Sequence, residues 1–277
     1  MNGVSRRHLL AMAATATVAG AGMAHAADDV LARVKKAGVL KVGTETYFAP
    51  FDFLKDGKAT GLNYDIFAGI AEALGVKLEW IDLPWEGVLP GLESGKFDMV
   101  AGPATITKAR MERYRFSPPI AEATVALLKR ADDKTINKPA DIAGKVVASG
   151  KATAQLAQLQ AFGATLKPAP TIREFPDFTT AYADMAAGRV VAVANSLPNI
   201  AYYATQQPGR FAVVLPAFGQ KSYFGFIGRK DPEYASLMDA IDAAILKMRA
   251  DGRLAAAQKK WFGQTFDTPE KVTDPAV

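Results

Sequence analysis

The first hundred residues of the chain alternate between two hydrophobic periods, and that alternation restricts the fold more than any other feature. Helical spacing over 28–37, with Val30, Leu31 and Val34 on one side, stops at Gly38, and Val39–Thr44 reads as a strand. An aromatic loop follows, GTETYFAPFDF (43–53), with a turn at Asp56-Gly57. Asn63 is placed to cap a helix whose Ile66, Phe67, Ile70, Ala71 and Leu74 keep helical spacing, and Gly75 supplies the left-handed stop. Residues 76–81 read as a strand, 85–92 as a helix that tolerates Pro90 only in an early or bent turn, and 96–101 as the next strand. Strands alternating with helices imply an α/β fold with a parallel sheet covered on both faces. Ligands of such sheets bind beyond the carboxyl ends of the strands, where the loops after Thr44 and Ala101 lie.

A second unit of the same kind follows. The expected elements are a strand at 121–130, a polar link at 131–134, a strand at 145–149, the loop Gly150-Lys151-Ala152-Thr153, and a helix at 154–162 capped by Thr153. Beyond these come a helix at 180–187 closed by Gly188, a strand at 190–194, the loop Asn195-Ser196-Leu197-Pro198 and a short helix at 199–205. Strands at 211–215 and 223–227 precede the strongest helix, 232–249, with Leu237, Ile241, Ile245 and Met248 on one stripe, and a last helix at 254–262. Residues 264–277 read as a polar, poorly ordered tail. Two α/β units with two crossings between them imply two lobes and a cleft.

Residues 1–26 read as an export signal: Arg6-Arg7-His8-Leu9-Leu10, an Ala/Gly/Val-rich run, then Ala24-His25-Ala26. The arginine pair before two leucines resembles a twin-arginine signal; an ordinary Sec signal is the other reading. No later stretch reaches the roughly 18 apolar residues of a membrane span, and no cysteine offers a lipid attachment point, so a soluble periplasmic protein is expected. Both histidines, His8 and His25, fall in this segment, and the chain has no cysteine. The exported part therefore has neither imidazole nor thiol, which excludes Ser-His-Asp and Cys-His catalysis and the usual zinc sites. No metal or cofactor is expected. Two of the 33 basic residues and none of the 28 acidic ones lie in 1–26, which leaves a net charge of +3 on the rest. The charges are interleaved without a basic block, so a nucleic-acid partner is not expected.

The most chemically pointed stretch is DMVAGPATITKAR (98–110). It reads as a strand end, a polar loop holding Gly102 and Thr105, and a helix capped by Thr107, with Arg110 in its first turn. A guanidinium, hydroxyls and unpaired N–H groups at one point make a carboxylate or phosphate receptor. A surface turn with a solvated arginine is the competing reading.

LKVGTETYFAPFDF (40–53), GLNYDIFAGIAEALG (61–75), PWEGVLPGLESGKFDMVAGPATITKAR (84–110), DIAGKVVASGKATAQ (141–155), AAGRVVAVANS (186–196) and MRADGRLAAAQKKWFG (248–263) occur in the order and at the spacings of a known family. The chain resembles the extracytoplasmic solute-binding proteins of ABC importers for polar amino acids. That resemblance implies a two-lobed periplasmic-binding-protein fold of type II, with mixed sheets flanked by helices and a two-segment hinge. Lobe one would be residues 27–122 with 222–277, lobe two residues 123–221, and the hinge residues 123–125 and 223–225. It implies a monomer that closes on a small carboxylate-bearing solute and delivers it to a permease in the inner membrane.

Carried over position by position, the family's carboxylate-binding arginine falls on Arg110, supported by Gly102 and Thr105. The second-lobe loop that donates N–H groups falls on Thr153, Ala154 and Gln155. The family's glycine before that threonine is Ala152 here, which puts the loop's backbone in question. The aromatic covering the ligand falls on Phe48. Trp85 matches a position on the other wall, with core packing as its alternative. Glu45 falls where the family has an acidic contact, with a solvated loop residue as its alternative.

Two departures stand out. The family's ammonium-binding aspartate is Ser196 here, beside Asn195, and Asn63 stands where an acid is usual. A buried ammonium without a carboxylate is unfavourable. Either Glu45 supplies the charge and the solute is an amino acid, or the solute is an organic acid without an α-amino group. Some proteins of this fold resemble cyclohexadienyl dehydratases; such chemistry would need a general acid, and Glu45, Glu86 and Lys151 are the candidates. The expectation is a binding protein and not an enzyme.

Overall fold

The computed structural model describes residues 29–277, so the export signal read in residues 1–26 lies outside the described residues. Asp29 caps helix α1 (Val30–Ala37) by accepting from the Ala32 N–H through Oδ1, and strand β1 (Val39–Thr44) follows. The aromatic loop is not irregular. It forms a three-stranded antiparallel meander, β2 (Tyr47–Phe48), β3 (Asp52–Lys55) and β4 (Lys58–Thr60), turned at Asp56 and Gly57 with positive φ. Gly61 joins the meander to helix α2 (Leu62–Leu74) at φ 138°, and a Cβ there would lie 2.0 Å from the Phe51 carbonyl oxygen. Only glycine fits this close approach. Helix α2 buries Leu62, Ile66, Phe67, Ile70 and Leu74, each contributing about 1.5–3 kcal/mol.

The remaining elements of this sheet are β5 (Lys77–Asp82), α3 (Trp85–Glu93), β6 (Met99–Thr105), α4 (Lys108–Arg113), β7 (Tyr114–Phe116) and β8 (Ala121–Glu122). The chain then crosses at Ala123 and Thr124 to β9 (Val125–Arg130), β10 (Val146–Gly150), α5 (Ala154–Ala164), β11 (Thr171–Phe175), α6 (Phe178–Ala186), β12 (Ala192–Ser196), α7 (Leu197–Gln206) and β13 (Phe211–Val214). Residues 215–222 cross back to β14 (Tyr223–Arg229), α8 (Ala235–Ala250) and α9 (Arg253–Phe262).

Two mixed sheets result. The first runs β5-β1-β6-β14-β7, with β8 also paired to β14; the second runs β11-β10-β12-β9-β13. In each, three parallel strands meet antiparallel strands at the crossing side. The carboxyl ends of β1 and β6 therefore face those of β10 and β12 across a cleft.

Several expectations need correction. The strand expected at 96–101 runs to Thr105, so Gly102 and Thr105 lie in a fully buried strand and not in a loop. The strand expected at 121–130 is interrupted at the crossing. Residues 223–225, expected near the hinge, are paired within β14, directly after the stretch 215–222 that leads back from β13. Asn63 does not cap α2; it sits inside the helix and donates to Asp52 Oδ2 (2.7 Å) and the Ala101 carbonyl (2.8 Å). Asn195 and Ser196 belong to β12 and not to a loop. Residues 264–277 carry no helix or strand but are tied down. Arg249 donates to the Thr268 and Pro269 carbonyls, Phe266 N–H to Gln258, and Lys108 N–H to the Val277 carbonyl at 2.8 Å.

Candidate functional site

Strand β6 is the central strand of the first sheet and carries the chain to the cleft edge, where Thr107 turns it into α4. The Thr107 hydroxyl accepts from the Arg110 N–H (3.2 Å), and the Arg110 side chain folds back to donate to the Thr105 carbonyl (3.1 Å). Its guanidinium lies 5.4 Å from the centre of the Trp85 ring. No carboxylate of the described residues lies within 4 Å of it. Burial without an anion lowers its pKa to about 10, so it stays a cation at neutral pH. One of five donors is engaged; the others are open to a bidentate anion.

Opposite stands the turn between β10 and α5. Thr153 donates to the Gly150 carbonyl (2.7 Å) and accepts from Leu156 N–H (3.1 Å), which caps α5. The first N–H groups of the helix, at Ala154 and Gln155, have no upstream carbonyl. Ala152 adopts φ +59°, the left-handed conformation a glycine would take, and its carbonyl accepts from Trp85 Nε1 at 3.2 Å across the cleft. Lys151 pairs with Glu86 (2.8 Å) and Asn199 Nδ2 donates to the Ala49 carbonyl (2.7 Å), so the lobes are closed on one another.

Between them lies a small cavity of about 10 Å³, lined by Glu45, Phe48, Trp85, Pro103, Thr105, Arg110, Thr153, Gln155 and Phe224. Gln155 is 4% exposed, and its amide makes no hydrogen bond among the described residues. Glu45, 8% exposed, follows the end of β1. Burial pushes its carboxyl up to about 8, with Asp177 from the other lobe and Asp82 adding to the shift. Phe48 packs edge-on against Phe224 (5.8 Å) and at a tilt of 48° against Phe178 of the second lobe (5.6 Å). The cavity thus offers a cation at one place, a protonated acid at another, unpaired amides, and an aromatic wall.

The structure brings Glu45, Phe48, Trp85, Thr105, Arg110, Thr153 and Gln155 to one wall or the other. Trp85 takes both of its readings: it lines the cavity and packs in the core beside Val88, Leu92 and Phe97. Three residues are not brought to the cavity surface. Gly102 lies in β6 behind Trp85, where a methyl group would meet the indole at 3.5 Å. The Ala154 side chain lines an outer groove. Ser196 is wholly buried, with its hydroxyl donating to Asn199 Oδ1. Glu86 and Lys151 neutralise each other at the rim. Pro103 and Phe224 were missed. Phe224 sits on the returning strand β14, and its alternation with Tyr223 and Gly225 reads as a core strand until the fold brings it beside β6.

The family model for bacterial extracellular solute-binding proteins, family 3, matches residues 40–264. Over 263 residues the chain is 32% identical to the L-cystine-binding protein TcyJ of Escherichia coli (strain K12), covering 94% of this chain and 96% of that one. An ancestral arginine-binding protein bound to arginine superposes with a TM-score of 0.75 at 31% identity, over 82% of this chain and 99% of that chain. The ancestral amino acid-binding protein AncCDT-1, described as a precursor of cyclohexadienyl dehydratase, superposes with a TM-score of 0.76 at 30% identity, over 84% and 99%.

Proposed function

The chain belongs to the bacterial extracellular solute-binding proteins, family 3, and from that premise we propose that its cleft captures one amino acid through a carboxylate held by Arg110. Its role is that of the solute-binding component of an ABC transporter. One observation carries the site: a half-buried guanidinium, charged at neutral pH, lines the cavity with no carboxylate of the described residues within 4 Å. A desolvated, unpaired cation is unfavourable, and a ligand carboxylate removes that penalty. The N–H groups of Ala154 and Gln155 and the Gln155 amide reach the same anion from the second lobe. Phe48, Trp85 and Phe224 cover the apolar part, and Glu45 takes the ammonium that Ser196 does not reach.

A second reading follows from Ser196. Its hydroxyl is engaged by Asn199, so an organic acid without an ammonium would lose nothing there. Among the described residues the cavity lining holds one carboxyl, Glu45, with no second acid or base facing it, which supports binding without chemistry. The proposed cycle places the protein in the periplasm as a monomer, after export on the signal in residues 1–26. The lobes are residues 27–122 with 222–277 and residues 123–221, and the closed form docks on a permease. Arg110→Ala tests the site: isothermal titration should show binding lost while the melting curve of the empty protein is kept. Unchanged affinity would remove Arg110 from the site.

A further inference from the structure

The position where the family's aspartate is expected is not idle. Ser196 is at the carboxyl end of β12, where the Leu197 N–H donates to the Thr124 carbonyl of the first crossing. Its hydroxyl donates to Asn199 Oδ1, and its N–H to Asn195 Oδ1 (2.7 Å). Asn195 Nδ2 in turn donates to the Tyr182 hydroxyl (2.8 Å), and Asn199 Nδ2 to the Ala49 carbonyl of the other lobe (2.7 Å). All four side chains are buried: Ser196 at 0%, Asn195 at 1%, Asn199 at 2% and Tyr182 at 6% exposure. The amide orientations are fixed by their neighbours, because a carbonyl can only accept and a backbone N–H can only donate.

We propose that Tyr182, Asn195, Ser196 and Asn199 form a latch anchored in the second lobe, in which Asn199 is the positioning residue that holds the lobes closed by grasping the Ala49 carbonyl. The proposal rests on the reading that these lobes open and close. Opening separates Asn199 from Ala49 and leaves the rest of the relay inside the second lobe. The cross-lobe bond therefore exists only in the closed form and shifts the open–closed equilibrium whether or not a solute is present. Ser196 acts through Asn199: with its proton on Oδ1, the amide nitrogen has only the Ala49 side to face. A carboxylate at position 196 would set an acceptor against Oδ1 and dissolve the relay. The same position can thus carry an ammonium-binding charge or a latch, and here it carries the latch.

A ligand-free experiment separates this from any error about the solute. The chain has no cysteine, so dye pairs can be placed by Glu79→Cys and Glu174→Cys. These exposed positions lie on β5 and β11, the edge strands farthest from the crossings. Single-molecule energy transfer then reads the closed fraction of the empty protein. Asn199→Ala should lower the closed-to-open ratio about 2- to 10-fold, the range expected for one net hydrogen bond. Ser196→Ala should move it in the same direction, and the double variant no further than Asn199→Ala alone. Asn199→Asp, isosteric but without the donor, should open the lobes at least as far. Unaltered hydrogen exchange in β12 distinguishes loss of the latch from loss of the lobe's fold. Distance distributions that coincide in the parent, Ser196→Ala, Asn199→Ala and Asn199→Asp would overturn the proposal, as would opening that appears only where β12 has lost its protection.

Discussion

Glu45 shows how a single side chain makes the cleft sensitive to pH. Its folded pKa is raised from 4.5 to about 8 by burial, so at neutral pH the empty, closed cleft holds a proton there. The closed form is favoured most below pH 4.5, and that contribution is lost as pH rises toward 8. Relative to the empty closed form, a cationic group bound at Glu45 must displace the proton below pH 8, so an empty protein that rests closed should gain affinity for an amino acid by up to about tenfold per pH unit between 6 and 8. Glu45→Gln should flatten that dependence and weaken binding. Titration calorimetry at pH 6, 7 and 8 checks both; a slope retained in the variant would assign the proton elsewhere. Ala152 tests the other wall. Its left-handed backbone is disfavoured for an L-residue by about 1–2 kcal/mol, which the entropy of glycine offsets only in part. Ala152→Gly should raise stability to urea by up to about 1 kcal/mol, whereas Ala152→Val should lower it.

Among the elements, those with a strong period were legible from the residues alone. The helix ending at Gly75, the Thr107 cap before Arg110 and the Thr153 cap before α5 follow from local chemistry, and the structure forms each of them. What was not legible depends on partners remote in sequence. The meander β2-β3-β4 is too short for its alternation to stand out, and it exists because Gly61 lets Phe51 lie against the start of α2. Asn63 looks like a cap because asparagine usually is one; its two partners, Asp52 and Ala101, are 11 and 38 residues away. Burial raises the Asp52 carboxyl well above the usual carboxylate range, and the Asn63 amide opposes that rise. Asn63→Ala should then leave Asp52 and the Ala101 carbonyl unpaired and cost about 1–3 kcal/mol in denaturant midpoint analysis. A loss well under that range would mean that water replaces the amide. The tail was misread from its polar composition, because its backbone carbonyls accept from Arg249 and its Phe266 packs against Phe262, contacts that depend on residues outside the tail.

At the scale of the whole molecule, two sheets present the carboxyl ends of their parallel strands to one another, and closure brings opposite walls of a single site together. Arg110 lies on one wall and the α5 N-terminus on the other, so on the proposed reading an anion between them meets both only when the lobes are closed. Closure also removes water, which strengthens each charged contact. In the proposed cycle, ligand capture and lobe closure are one event, coupled by the carboxylate. The most direct test is a thermal-shift panel on refolded, ligand-free protein and its Arg110→Ala variant. The panel holds amino acids, their 2-oxo and 2-hydroxy analogues, the corresponding amines without a carboxylate, and small aromatic and dicarboxylic acids. At 100-fold excess over Kd a bound solute adds about 2.7 kcal/mol, a readily visible shift. The expected result is stabilisation of the parent by a carboxylate-bearing solute, none by the amines, and none of either in the variant. Stabilisation by an amine without a carboxylate, or an undiminished shift in Arg110→Ala, would contradict carboxylate capture by Arg110.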